Sequence, residues 1–308
     1  MGMHITLHDA LNSSDKMQNH KNSGFFARTK ITAGYDPYID SRSGTTKFGT
    51  PIFETENMIV MGGSLFTLEK LFNINYFSEG NNTIDDGLIY DPLLFGGTVS
   101  REGFPQKDNV ICLFGVSTEG AGESITDVKD VNYYERTMFE GGAGSNYGLI
   151  PFQVLSTGEA FTPTEEGKYW YRKQISINDT TKTAFYLKSF ENAPKIHILY
   201  RDNGDDDGTA VTQSPWLSVP STPIETFVEL TLKITKTDVR QYFIDNGDTE
   251  KTRINSIALF SGIKKEVTLN GSTYPDYREV RMFSKLNINN EMLTANKDLT
   301  ISYRIYTS

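Results

Sequence analysis

The stretch TFVELTLKIT, residues 226–235, decides the fold class. Val228, Leu230, Leu232 and Ile234 fall on one side of an extended chain, and Glu229, Thr231, Lys233 and Thr235 on the other. A strict period of two is the signature of a strand, because successive side chains point to opposite faces. One apolar and one polar face mark an antiparallel sheet, since parallel sheets are covered on both sides.

Similar short runs surround it. VICLFGV (110–116), YGLIPFQVL (147–155), YWYRKQISI (169–177), TAFYLKSF (183–190) and KIHILY (195–200) all read as strands. So do EVRMFSKLNI (279–288) and DLTISYRIY (298–306), the latter with Leu299, Ile301, Tyr303 and Ile305 on one face. Turn residues separate these runs. Arg240-Gln241-Tyr242-Phe243-Ile244 runs into Asn246-Gly247, which reads as a hairpin turn leading to a return strand over Ile254–Ile263. Asn270-Gly271 is a second such pair. Many short strands with little helix predict a mainly β fold, an antiparallel β-sandwich of jelly-roll-like character.

The first half of the chain has a different texture. Residues 1–50 are polar and poor in paired apolar residues, so they read as a floppy terminus or as an extended arm. Phe25, Phe26, Tyr35 and Tyr38 are its aromatic anchors, to be docked on a neighbouring subunit. Residues 51–109 read as a helix-and-loop segment. Leu65, Phe66, Leu68, Leu71 and Phe72 recur at helical spacing, their stripe forming a core face, with Ser64 as the cap. Residues 110–308 then form the sandwich body.

Composition excludes several functions. Thirty Lys and Arg against 39 Asp and Glu leave a net charge of −9, opposite to what phosphate-backbone binding requires, so no nucleic-acid partner is expected. No apolar run is long enough for a spanning helix, so no membrane partner is expected. One cysteine excludes a disulfide framework, and the interrupted amino terminus predicts folding in a reducing cytoplasm. Cys112 sits in an apolar run and reads as a buried thiol.

Chemical motifs are missing. There is no phosphate loop, no zinc-ligand spacing and no nucleophile elbow. His4, His8 and His20 lie in the arm, and His197 lies between Ile196 and Ile198 in a strand, as a structural residue. The acidic run Asp202-Asn203-Gly204-Asp205-Asp206-Asp207-Gly208 is the sharpest local cluster. Asp202, Asp205 and Asp207 are its candidate calcium ligands, because alternate oxygens before a glycine can converge on one cation. Ser214 stands where the closing glutamate of such a loop belongs, so the run also reads as a solvated loop tip. No cofactor, resident metal or catalytic residue is expected. The aromatic triplet Tyr169-Trp170-Tyr171 divides between core and amphipathic cover, with sugar stacking as the other use.

Four phrases carry a resemblance: GVSTEGAGE (115–123), LIPF (149–152), AFYLKSFENAP (184–194) and YREVRMFSKLNINNEMLTANKDLTISYRIYT (277–307). They resemble virion structural proteins of large tailed bacteriophages, an uncharacterised class found around tails, baseplates and necks. That resemblance implies a non-enzymatic, oligomeric scaffold or adaptor, assembled in the host cytoplasm with other virion proteins. It assigns no catalytic or ligand residue. The alternatives are a receptor- or glycan-binding sandwich of a virion, or a capsid decoration protein.

Overall fold

A computed structural model describes residues 26–72, 108–122, 127–131, 149–162, 165, 167–200, 208–210, 224–248, 252–269 and 272–307. The chain is mainly β, in antiparallel sheets of the sandwich class. It divides into two compact units interleaved in sequence. One comprises residues 1–56, 192–231 and 301–308, the other residues 57–191 and 232–300.

The first unit is built on a six-stranded sheet. Its strands are β1 (Phe26–Gly34), β4 (Phe53–Thr55), β11 (Lys195–Tyr200), β12 (Thr209–Ala210), β13 (Ile224–Ile234) and β16 (Leu299–Thr307). Their order is β12-β11-β13-β16-β1-β4. A short hairpin, β2 (Tyr38–Ile39) with β3 (Thr46–Lys47), belongs to the same unit. The expected strand at 226–235 is the heart of β13, and Leu230, Leu232 and Ile234 are buried as the alternation requires. Its polar side is only partly wet, because Phe227 and Glu229 are buried as well.

The arm expected over residues 1–50 needs correction from residue 26 onward. β1 lies between β16 and β4 in the chain's own sheet. The cause is visible in its alternation: Thr29, Ile31 and Ala33 are buried, which a polar-looking segment achieves with small and β-branched side chains. Residues 1–25 lie outside the described residues.

The second unit carries an eight-stranded sheet. It uses β5 (Met58–Ile59), β6 (Val110–Ser117), β8 (Gln153–Ser156), β10 (Thr180–Ser189), β14 (Arg253–Leu269) and β15 (Ser272–Met292), in the order β5-β15-β14-β6-β10-β8. β7 (Leu149–Ile150) pairs with β6, and β9 (Tyr169–Ile177) pairs with β10. The stretch expected as one strand over 147–155 is thus two, β7 and β8, broken at Pro151-Phe152 where proline offers no N–H to a ladder. β9 turns into β10 through Asn178 and Asp179, both at positive φ (49° and 59°), which these residues tolerate. The core of this unit includes Leu113, Leu187, Phe260 and Met282.

The helix α1 spans Met61–Phe72, so Ser64 lies inside it rather than capping it. Gly63 is required there by close approach, since a Cβ would come within 2.2 Å of the Phe283 carbonyl oxygen. The apolar stripe is not a core face: Phe66 is buried, but Leu68, Leu71 and Phe72 are exposed, and the buried side chain one turn on is Glu69. The hairpin expected at 240–247 is instead a helix, α2 (Arg240–Asp245). Gly247, at φ 77°, ends it. Its N–H bonds to the Ile244 carbonyl, and the N–H of Asp248 to the Phe243 carbonyl, the paired closure of a Schellman cap. Asn-Gly served a helix stop because both uses need the same left-handed backbone.

β14 and β15 pair far beyond the rest of their sheet. β6 accompanies β14 only as far as Val110 opposite Gly262. β14 and β15 continue together from Lys264 opposite Tyr277 to Leu269 opposite Ser272, on either side of Asn270-Gly271. Among the described residues no third strand pairs with this ribbon.

Candidate functional site

Three strands carry a cation next to buried apolar residues: Lys188 follows Leu187 in β10, Arg281 lies between Val280 and Met282 in β15, and Arg304 lies between Tyr303 and Ile305 in β16. A buried charge is tolerated only when paired and hydrogen-bonded. Each has an acid from a distant element. Lys188 meets Asp238 at 2.6 Å, Arg281 meets Glu69 at 2.8 Å, and Arg304 meets Glu229 at 3.0 Å.

The richest of these sites centres on Asp238, in the turn between β13 and α2. Its Oδ1 accepts from the Tyr169 hydroxyl at 2.8 Å and from Gln153 Nε2 at 2.9 Å. Its Oδ2 accepts from Lys188 Nζ and, at 2.7 Å, from the Thr235 amide. Lys188 also donates to the Lys233 carbonyl at 2.9 Å and lies 5.3 Å from the Tyr169 ring centre. Asp238 is fully buried, and Lys188 and Tyr169 nearly so. Burial, followed by the Asp238 charge, pushes the Tyr169 hydroxyl far above its ordinary range and keeps it a donor. Every oxygen of the carboxylate is occupied, so the hub ties β8, β9, β10 and the α2 turn together. Val239, the next residue, holds a left-handed backbone (φ 57°) that a β-branched side chain resists. Its amide bonds to the Phe152 carbonyl at 2.8 Å, which helps hold the turn in that conformation.

The corresponding site in the first unit is a clamp on the β2–β3 hairpin. Glu229 Oε1 accepts from the Thr46 amide at 2.9 Å, and Oε2 accepts from Arg304 Nε. Arg304 Nη2 donates to the Thr46 carbonyl at 2.9 Å. The Ala210 amide bonds to the Arg42 carbonyl at 2.9 Å. Phe227 is stacked on by His197, with centres 5.2 Å apart and planes at 15°, while the Arg304 guanidinium lies 5.2 Å from the same ring centre. His197 is 9% exposed, and its Nε2 is buried with no hydrogen-bond partner. Burial holds its pKa below the ordinary histidine value, against the pull of Glu229 and the Ser43 backbone.

Asp202, Asp205 and Asp207 lie outside the described residues, as does Phe25. Phe26 opens β1, Tyr35 is half-buried, and Tyr38 is exposed in β2. Tyr169 and Trp170 are both buried, so alternation does not divide the aromatic triplet as expected; Tyr171, at φ 55°, is half-buried. Cys112 is half-buried against the core rather than fully buried, and its partial burial pushes the thiol up to about 12. Among the described residues, no three His, Cys, Asp or Glu side chains gather to hold a metal, and no helix is long and apolar enough to cross a membrane. The ion pairs were missed in the sequence, although a cation next to apolar residues in a strand is a legible sign that an acid must face it.

Fold and sites thus define a mainly β, antiparallel protein whose buried charges are tied to one another. Compared with family models, curated proteins and solved structures, the chain finds no match in any of the three.

Proposed function

We propose that this chain is a non-enzymatic structural component of a tailed-bacteriophage virion, an oligomeric scaffold or adaptor of the tail, baseplate or neck. It assembles in the host cytoplasm with copies of itself and other virion proteins. The observation that carries this reading is the β14–β15 ribbon. Six residue pairs, from Lys264 opposite Tyr277 to Leu269 opposite Ser272, extend past the strand that flanks β14. At about 3.4 Å per residue the ribbon reaches roughly 20 Å. A lone two-stranded ribbon is marginal in water, and it gains stability when a neighbour covers it. Such projecting hairpins suit repeated contacts in a symmetric assembly.

Three further points support the reading. The phrase at 277–307 that resembles virion proteins supplies most of β15 and all of β16. The buried acids and bases at Asp238 and Glu229 are spent on internal ties, which suits a part that must be rigid rather than reactive. A net charge of −9 keeps free subunits apart until specific contacts form.

Peptide mass spectrometry of particles purified from cells infected by the phage carrying this gene tests the proposal. The chain is expected at a copy number comparable with other structural proteins. Its absence from purified particles would overturn the reading.

A further inference from the structure

The clamp in the first unit contains one group that changes charge near neutral pH. His197 lies in β11, flat against Phe227 of β13, and its Nε2 is buried without an acceptor. The groups facing it leave a proton poorly placed. Arg304 of β16 is already a cation over the Phe227 ring, and Lys195 adds a second positive charge on β11. Glu229 of β13 is the acid within reach, but its oxygens are engaged by Thr46 and Arg304. On the hairpin side, the Ser43 backbone is the group that favours the protonated ring. Asp40 there is bound by the Ser43 hydroxyl at 2.6 Å and by the Ser43 amide at 3.1 Å, and these bonds hold its carboxyl below the usual range, so it stays charged in mild acid. Arg42 and Lys47 are the remaining charges of the hairpin.

We propose that the hairpin from Asp40 to Lys47 is a latch opened by acid: protonation of His197 releases it from the face formed by β11, β13 and β16. The closed latch holds the neutral imidazole, which needs no acceptor at Nε2. The open latch exposes the ring to water, where it titrates as an ordinary histidine near 6.5. The open state therefore binds the proton more tightly. The latch is fully closed above about pH 7 and loosens as the pH falls through the ordinary histidine range. This inference stands apart from the virion reading, since it rests on the clamp alone.

Amide hydrogen exchange tests it on the full chain at pH 7.5 and 5.5, with protection factors corrected for intrinsic exchange. The reporters are Thr46 and Ala210, whose amides bond across the latch, and Thr235, which bonds to Asp238 in the other unit. In the native chain, protection at Thr46 and Ala210 is expected to fall several-fold in acid, while Thr235 holds. The ceiling is about tenfold, set by an ordinary histidine one pH unit below its midpoint. His197→Phe keeps a flat ring on Phe227 and removes the proton, so its latch protection is expected not to change with pH. An equal fall in His197→Phe, or no fall in the native chain, would overturn the proposal. If His197→Phe does not fold, the proton NMR titration of the native imidazole decides: a midpoint below 6.5 supports the latch, and one at or above 6.5 overturns it.

Discussion

The Asp238 hub and the Glu229 clamp solve one problem in two ways. Each buries an acid on a cation that lies next to buried apolar residues in a strand. At Asp238 four donors converge on two oxygens, and no histidine is among them. At Glu229 each oxygen has one donor, and a histidine whose Nε2 has no partner is stacked on the neighbouring Phe227. The first arrangement is insensitive to its surroundings, and the second is poised to respond to them. Burial alone does not separate the two; saturation of the polar atoms does.

The sharpest way to break the comparison is to remove the acid of the hub. Asp238→Ala leaves Lys188 buried and uncompensated, along with the Tyr169 hydroxyl and Gln153. We expect a loss of about 3–5 kcal/mol in denaturant unfolding. A loss below about 1 kcal/mol would show that the hub does not hold the second unit together. Arg304→Met at the clamp comes next. It removes two hydrogen bonds but leaves Glu229 its Thr46 amide, and the guanidinium was partly exposed. The expected loss is about 1.5–3 kcal/mol, confined by hydrogen exchange to the first unit. Equal losses from both variants would erase the distinction drawn here.

The smallest effect concerns Cys112, which neither site uses. A thiol with its pKa pushed up to about 12 by burial is almost wholly protonated at pH 8. Modification of the native chain by a disulfide reagent should therefore be slow at pH 8 and become fast on unfolding. Rapid labelling in the native state would contradict the burial of this thiol.

The sheets were legible in the sequence because their signal is local. Alternation at 226–235 and the runs at 110–116, 169–177 and 195–200 depend on neighbours two residues away, and each became a strand over closely those bounds. β1 was not legible, because Thr29 and Ala33 bury little apolar surface and look polar or neutral in composition. The turn at Asn246-Gly247 was misread because glycine in a left-handed backbone closes a helix as readily as a hairpin. The sites were hidden for a different reason. Lys188 and Asp238 are 50 residues apart, and Arg281 and Glu69 are 212 apart, so only the fold brings them together. The cation in each strand announces that a partner exists but not which acid it is.

The proposed role is that of an assembling protein whose β14–β15 ribbon makes the contact. Light scattering on the purified chain measures this most directly, beside a variant in which residues 265–276 are replaced by an Asn-Gly turn. A multimer is expected for the intact chain and a folded monomer for the shortened one. The same mass for both chains, in folded form, would contradict it.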